Sequence, residues 1–129
     1  MIVYLDTSVL LAELFSEDRI PPTAFWSQRL VASRLLEYEV FNRVHARGAF
    51  STHGDAARRL VDRVDLVEMS SSVLGRALLP FPKPVRTLDA LHLATLDFLK
   101  GQGLELEIAT YDQRLAEAAV GLGFPLADC

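Results

Sequence analysis

The sequence predicts an α/β fold in which a parallel sheet carries helices on both faces. Two features predict it. Short apolar runs alternate with segments of helical periodicity along the chain, the arrangement of successive βαβ units. The first run, Ile2-Val3-Tyr4-Leu5, is apolar at every position, as a strand buried on both sides requires. At 129 residues, half of them apolar, the chain suffices for one substantial core and falls short of two, so residues 1–129 are read as one domain.

After the first strand, Thr7 or Ser8 caps a helix whose inward face carries Val9, Leu10, Leu11, Leu14 and Phe15. Arg19-Ile20-Pro21-Pro22 stops it, and Pro22 opens a short helix through Ala24, Phe25, Trp26 and Leu30. Leu30-Val31-Ala32 forms the second strand. Ser33 caps a helix to about Arg47, which Gly48 ends. The polar turn Ser51-Thr52-His53-Gly54 leads into an arginine-rich helix from about Asp55 to Val64. Leu66-Val67-Glu68-Met69, less apolar than the first run, predicts an edge strand. Ser70 to Ser72 cap a helix that ends at Pro80-Phe81-Pro82-Lys83-Pro84, where three prolines forbid regular structure. Thr87 caps the next helix, which reaches about Lys100 and is closed by Gly101-Gln102-Gly103. Leu104, Leu106 and Ile108 alternate with Glu105 and Glu107 in a strand to Thr110. A helix from Asp112 to about Val120 precedes a last short strand at Phe124-Pro125-Leu126.

Composition excludes several classes of function. No basic leader with a long apolar run is present, and no apolar stretch approaches the roughly 18 residues of a membrane span, so a soluble, cytoplasmic protein without membrane contact is expected. The single cysteine, Cys129, can form no internal disulfide and has no partner for zinc or redox chemistry. A net charge of −4 argues against a nucleic-acid enzyme unless several of the seventeen carboxylates converge on a cation. Eleven arginines would then supply local phosphate contacts.

Most acids read as solvated surface, Asp18, Asp55, Asp62, Glu105, Glu107 and Glu117 among them. Four do not. Asp6 follows an apolar strand and precedes a helix, so it is either a cap or a site acid. Glu39 adjoins the stripe of Leu36, Val40 and Val44; a carboxylate there is paired, as with Arg43 at i+4, bound to metal, or protonated. Asp89 stands in the first turn of its helix with Leu93 and Leu96 on the same face. Asp112 again follows a strand and opens a helix. A parallel topology brings such positions to the carboxyl edge of the sheet, where ligands bind in folds of this kind. Carboxylates held together there repel by about 4 kcal/mol per pair at 4 Å and an effective dielectric near 20. A hard cation, Mg²⁺ or Mn²⁺, relieves that repulsion and suits oxygen ligands, and its natural reaction is phosphodiester hydrolysis.

These residues resemble the PIN-domain family, and within it the VapC-like toxins of prokaryotic toxin–antitoxin pairs. Ile2-Val3-Tyr4-Leu5-Asp6-Thr7-Ser8 is similar to the family's opening strand with its first acid and hydroxyl pair. Ser33-Arg34-Leu35 with Glu39-Val40 and Arg43 is similar to the second-acid helix. Thr87-Leu88-Asp89-Ala90-Leu91-His92-Leu93-Ala94 resembles the third-acid motif most specifically, and Thr110-Tyr111-Asp112-Gln113-Arg114-Leu115 the fourth. The resemblance implies an α/β/α sandwich around a mostly parallel sheet, Mg²⁺ or Mn²⁺ ligation by Asp6, Glu39, Asp89 and Asp112, and endonucleolytic RNA cleavage. It also implies a homodimer and a cognate VapB-like antitoxin whose tail occupies the active-site groove. Thr7, Ser8 and Thr110 take supporting roles. Residues from about Gly48 to Pro84 match no motif.

Other residues have two readings each. His92 shares the Asp89 face and either orients a carboxylate or is a satisfied helix histidine. Arg86 and Arg43 are candidate phosphate contacts or solvated cations. Arg58, Arg59 and Arg63 form a stripe that tracks RNA or merely faces water, while His45 and His53 are assigned to the surface. Phe25 and Trp26 belong to a core or an interface. Glu37 lacks the spacing of the second acid. A haloacid-dehalogenase-like phosphatase also places Asp after its first strand but needs a second Asp two residues on, where Ser8 stands. A non-catalytic PIN-like binding module is the remaining alternative.

Overall fold

A computed structural model describes residues 1–129. Four strands, β1 (Ile2–Leu5), β2 (Arg29–Ser33), β3 (Val64–Val67) and β4 (Leu106–Ala109), form one sheet in the order β3-β2-β1-β4. Every pairing is parallel, with Val3 opposite Leu30 on β2 and opposite Glu107 on β4. The chain builds outward from β1 through β2 to β3, then returns to lay β4 against the other side of β1. Strand order therefore reverses between β1 and β4, the place where a parallel sheet opens a crevice at its carboxyl ends.

Six helices cover the sheet: α1 (Thr7–Leu14), α2 (Leu35–Ala46), α3 (Phe50–Val61), α4 (Ser71–Ala77), α5 (Thr87–Gly101) and α6 (Gln113–Gly121). Side-chain alternation on β1 sorts them into layers. Val3 and Leu5 pack with Val9 and Leu10 of α1, Leu36, Val40 and Val44 of α2, and Ala57 and Val61 of α3. Tyr4 points the other way, into a cluster with Leu93, Leu96 and Leu99 of α5 and Leu115 and Ala119 of α6. The result is the expected α/β/α sandwich. No helix is long and apolar enough to cross a membrane. Leu96 is fully buried in the second cluster. Leu96→Ala is expected to cost about 2–5 kcal/mol in urea unfolding, through lost transfer energy and the cavity left behind.

Several local expectations are corrected. Asp6, not Thr7 or Ser8, caps α1, its side chain accepting from Ser8 N. Arg86, not Thr87, precedes α5, and that end has no side-chain cap. The Pro22 helix is a 3-10 turn, Thr23–Ser27, and Leu30 lies wholly in β2, where it pairs with Val64. The predicted polar turn 51–54 is the first part of α3, which starts at Phe50. Burial decides this: Gly54 is buried so closely beneath Phe50 that an added Cβ would meet its ring at 3.2 Å. β3 lies two residues earlier than predicted because Val64 is the core position, while Met69 is exposed. The last strand reduces to a single bridge, Ile108 to Leu126. Pro125, lacking an N–H, offers only its carbonyl to Ile108 N at 3.0 Å.

Candidate active site

Asp6 ends β1, and its backbone N–H extends the ladder to Ala109 O at 2.9 Å. Its Oδ2 accepts from the hydroxyls of Ser8 and, at 2.8 Å, Thr110. Those hydroxyls also accept from Tyr111 N (2.9 Å) and Asp112 N (3.0 Å). The two loops leaving the sheet at its reversal are thereby stitched together, and Asp6 is almost wholly buried at 6% exposure. Asp112 caps α6, its Oδ1 accepting from Arg114 N and Leu115 N at 2.9 and 3.3 Å. Glu39, on α2, uses Oε1 to accept from Thr7 Oγ1 (2.9 Å) and meets His92 Nε2 with the same atom at 2.7 Å.

Asp6, Glu39, Asp89 and Asp112 all line one pocket of about 790 Å³, together with Thr7, Ser8, Arg43, Arg86 and His92. Three of the acids spend one oxygen on the fold and keep the other without a hydrogen bond: Asp6 Oδ1, Glu39 Oε2 and Asp112 Oδ2. Trp26 Nε1 is the sole buried side-chain nitrogen or oxygen without a partner, so these free oxygens remain open to water. Asp89 makes no ion pair within 4 Å, and its pKa is raised by burial, then by the charges of Asp112 and Asp6, against the opposing Arg86 and His92. Burial is the main cause, and the neighbouring Asp112 and Asp6 charges add to it.

No three His, Cys, Asp or Glu side chains stand close enough to form a finished metal cage. The donor set nevertheless suits a hard cation. Mg²⁺ keeps several waters and is held directly by only one or two carboxylates, the rest acting through those waters. Open oxygens spread around a pocket of this size meet that need.

Glu39 and His92 pair with each other. Glu39 makes no ion pair with Arg43, which lines the pocket instead. His92 is 2% exposed, and its Nε2 meets Glu39 Oε1 at 2.7 Å. Burial disfavours its charged form, yet Glu39, Asp6 and Asp89 outweigh this and raise its pKa. Glu37 lies in a surface network with Arg34 and Arg58, away from the pocket. Of the arginine stripe, Arg58 is occupied by Glu37 and Asp62 and rests 4.7 Å over the Phe41 ring. Phe25 is a core residue, with Trp26 packed against that core. His45 stacks on Phe50, and half-buried His53 hydrogen-bonds Thr52.

The sequence reading missed Tyr4. Its hydroxyl lies 2.8 Å from His92 Nδ1 and accepts from Ser33 N at 3.2 Å, and burial pushes its pKa upward. The signal was present: a tyrosine in an aliphatic strand buried on both faces must find a partner for its hydroxyl.

Fold and acid-lined pocket together define a PIN-type domain, and a PIN domain model matches residues 3–121. The chain belongs to the PIN-domain family, in its VapC-like branch. Ribonuclease VapC47 of Mycobacterium tuberculosis is 31% identical, covering 97% of this chain and 95% of its own. Ribonuclease VapC46 of the same organism is 35% identical over 94% and 92%. Among solved structures, VapBC-1 from nontypeable Haemophilus influenzae aligns over 99% of this chain and 98% of its own, with a TM-score of 0.64 and 14% identity. A toxin–antitoxin complex from Klebsiella pneumoniae aligns over 92% and 93%, with a TM-score of 0.62 and 18% identity. At these identities the structural matches establish the shared fold. Family membership sets the phosphatase alternative aside.

Proposed function

We propose that this chain is a Mg²⁺- or Mn²⁺-dependent endoribonuclease and the toxin of a toxin–antitoxin pair. The observation that carries the reading is the pocket at the strand-order reversal, where four acids present oxygens unspent by the fold. Its relatives named as ribonucleases support RNA as the substrate. Asp6, Glu39, Asp89 and Asp112 hold the cation, directly or through water. When bound, the cation supplies positive charge against the phosphate and acidifies water.

The chain's own residues do the rest. Ser8 and Thr110 fix the Asp6 carboxylate, and Thr7 with His92 fixes Glu39. Arg43 and Arg86 lie on the pocket wall and hold RNA phosphates beside the cut. Beyond Arg86 an adjoining pocket of about 510 Å³ carries Lys83 and Arg114 along with Asp89 and Glu117, so cationic groups continue on that side. Local arginines thus answer the objection raised by a net charge of −4.

One structural neighbour is a toxin–antitoxin complex, which supports a VapB-like antitoxin as partner. A homodimer and a cytoplasmic location belong to the same reading. The test is cleavage of RNA by protein freed of any antitoxin. Mg²⁺ or Mn²⁺ should be obligatory, and cleavage that persists undiminished in excess chelator overturns the proposal. Melting temperature should also rise with Mn²⁺, because a cation bound only by the folded state stabilises it. The rise should be smaller in Asp89→Asn.

A further inference from the structure

Glu39 is held from inside the core. Ser33 N donates to the Tyr4 oxygen at 3.2 Å, Tyr4 meets His92 Nδ1 at 2.8 Å, and His92 Nε2 meets Glu39 Oε1 at 2.7 Å. Thr7 Oγ1 donates to the same Glu39 oxygen at 2.9 Å. The line joins β1, α5 and α2 through groups that are mostly inaccessible: Tyr4 and Ser33 are fully buried, and the rings of Tyr4 and His92 meet edge-on with centroids 5.9 Å apart.

A phenylalanine and a leucine would fill such a space without any obligation to hydrogen-bond, and apolar replacements of buried polar networks are often neutral or better for stability. The polar line is therefore poorly explained by packing alone. What it accomplishes is local. Glutamate has three rotatable side-chain bonds, yet both donors converge on Oε1 and leave Oε2 with none.

We propose that His92 is a positioning residue: anchored at Nδ1 by Tyr4, it clamps Glu39 Oε1 and so fixes the carboxylate with Oε2 presented as the cation ligand. This rests on the metal-site reading given above. Nε2 carries a proton both in the neutral form that accepts from Tyr4 and in the imidazolium, so the clamp is the same in either. Partners that orient a ligand in this way are worth about 10–100-fold in metal affinity.

The test measures Mn²⁺ affinity by electron paramagnetic resonance without RNA, alongside urea unfolding. His92→Leu, which removes the donor, should weaken Mn²⁺ binding by about 10–100-fold. His92→Gln, whose amide nitrogen can replace Nε2, should recover most of it, and Tyr4→Phe should fall between. On a Glu39→Gln background, His92→Leu should add little further loss, since the two act through one oxygen. Equal losses in His92→Leu and His92→Gln, or unchanged affinity with only a lowered urea midpoint, would reduce His92 to a structural residue and overturn the clamp. If His92→Leu does not fold, Tyr4→Phe decides: wild-type affinity in that variant overturns the proposal. Absence of Mn²⁺ binding in wild type, or full binding by Asp6→Asn, would overturn the metal site itself and the clamp with it. Normal binding that is lost in Asp6→Asn but kept in the His92 and Tyr4 variants would overturn the clamp alone.

Discussion

Asp6→Asn is expected to lower RNA cleavage by more than about 100-fold, beyond the range typical of residues that merely support a ligand. Asp6 is the acid most completely built into the sheet edge, with Ser8 and Thr110 fixing one oxygen and the other left free. Asparagine preserves the shape but presents either a neutral carbonyl or an amide nitrogen to the cation, and a hard cation favours the charged oxygen. The fold should survive. Metal-free Asp6→Asn loses a buried charge that faces Asp89, so its urea midpoint should equal or exceed that of metal-free wild type, provided the amide keeps its carbonyl toward Ser8 and Thr110. Cleavage within a few-fold of wild type would remove Asp6 from the site.

The second large effect separates two glutamates two residues apart. Glu39→Gln should abolish cleavage, whereas Glu37→Gln should leave it near wild type. Glu37 pairs with Arg58 at 2.7 Å and Arg34 at 3.3 Å in the open, so its loss should cost at most about 1 kcal/mol, screened by water and salt. The Arg58 hydrogen bond, aided by Arg34, holds the Glu37 carboxyl below its ordinary pKa against a smaller opposing effect of burial. A folded pKa that is depressed gives stability above the unfolded pKa and loses it as pH falls through the folded one. The urea difference between wild type and Glu37→Gln should therefore be present at neutral pH and vanish in acid. Intact cleavage by Glu39→Gln with loss in Glu37→Gln would exchange their roles.

Much of the site was legible because its acids occupy positions that local rules make conspicuous. Asp6 and Asp112 each follow an apolar run and open a helix, and the alternation of strands with helices implies a parallel sheet that gathers such positions at one edge. Hydrophobic spacing also placed α5 with Asp89 in its first turn. Where local composition competed with burial, the reading slipped. The polar residues Ser51-Thr52-His53-Gly54 resemble a turn, yet a buried Gly54 beside Phe50 makes them helix.

The sequence by itself determined the α/β class, the strand-end positions of Asp6 and Asp112 and, with one cysteine, that no internal disulfide can form. Only the tertiary structure decided which partners Glu39 and His92 take. On α2 alone Glu39 has Arg43 within helical reach, and on α5 alone His92 is one polar residue on an apolar face. Their partnership spans 53 positions, and its anchor, Tyr4, lies 88 positions from His92. No periodicity records such a pair. It exists because β1 seats the Tyr4 hydroxyl between Ser33 of β2 and His92 of α5, where a buried polar group has to be satisfied by whatever the fold brings near.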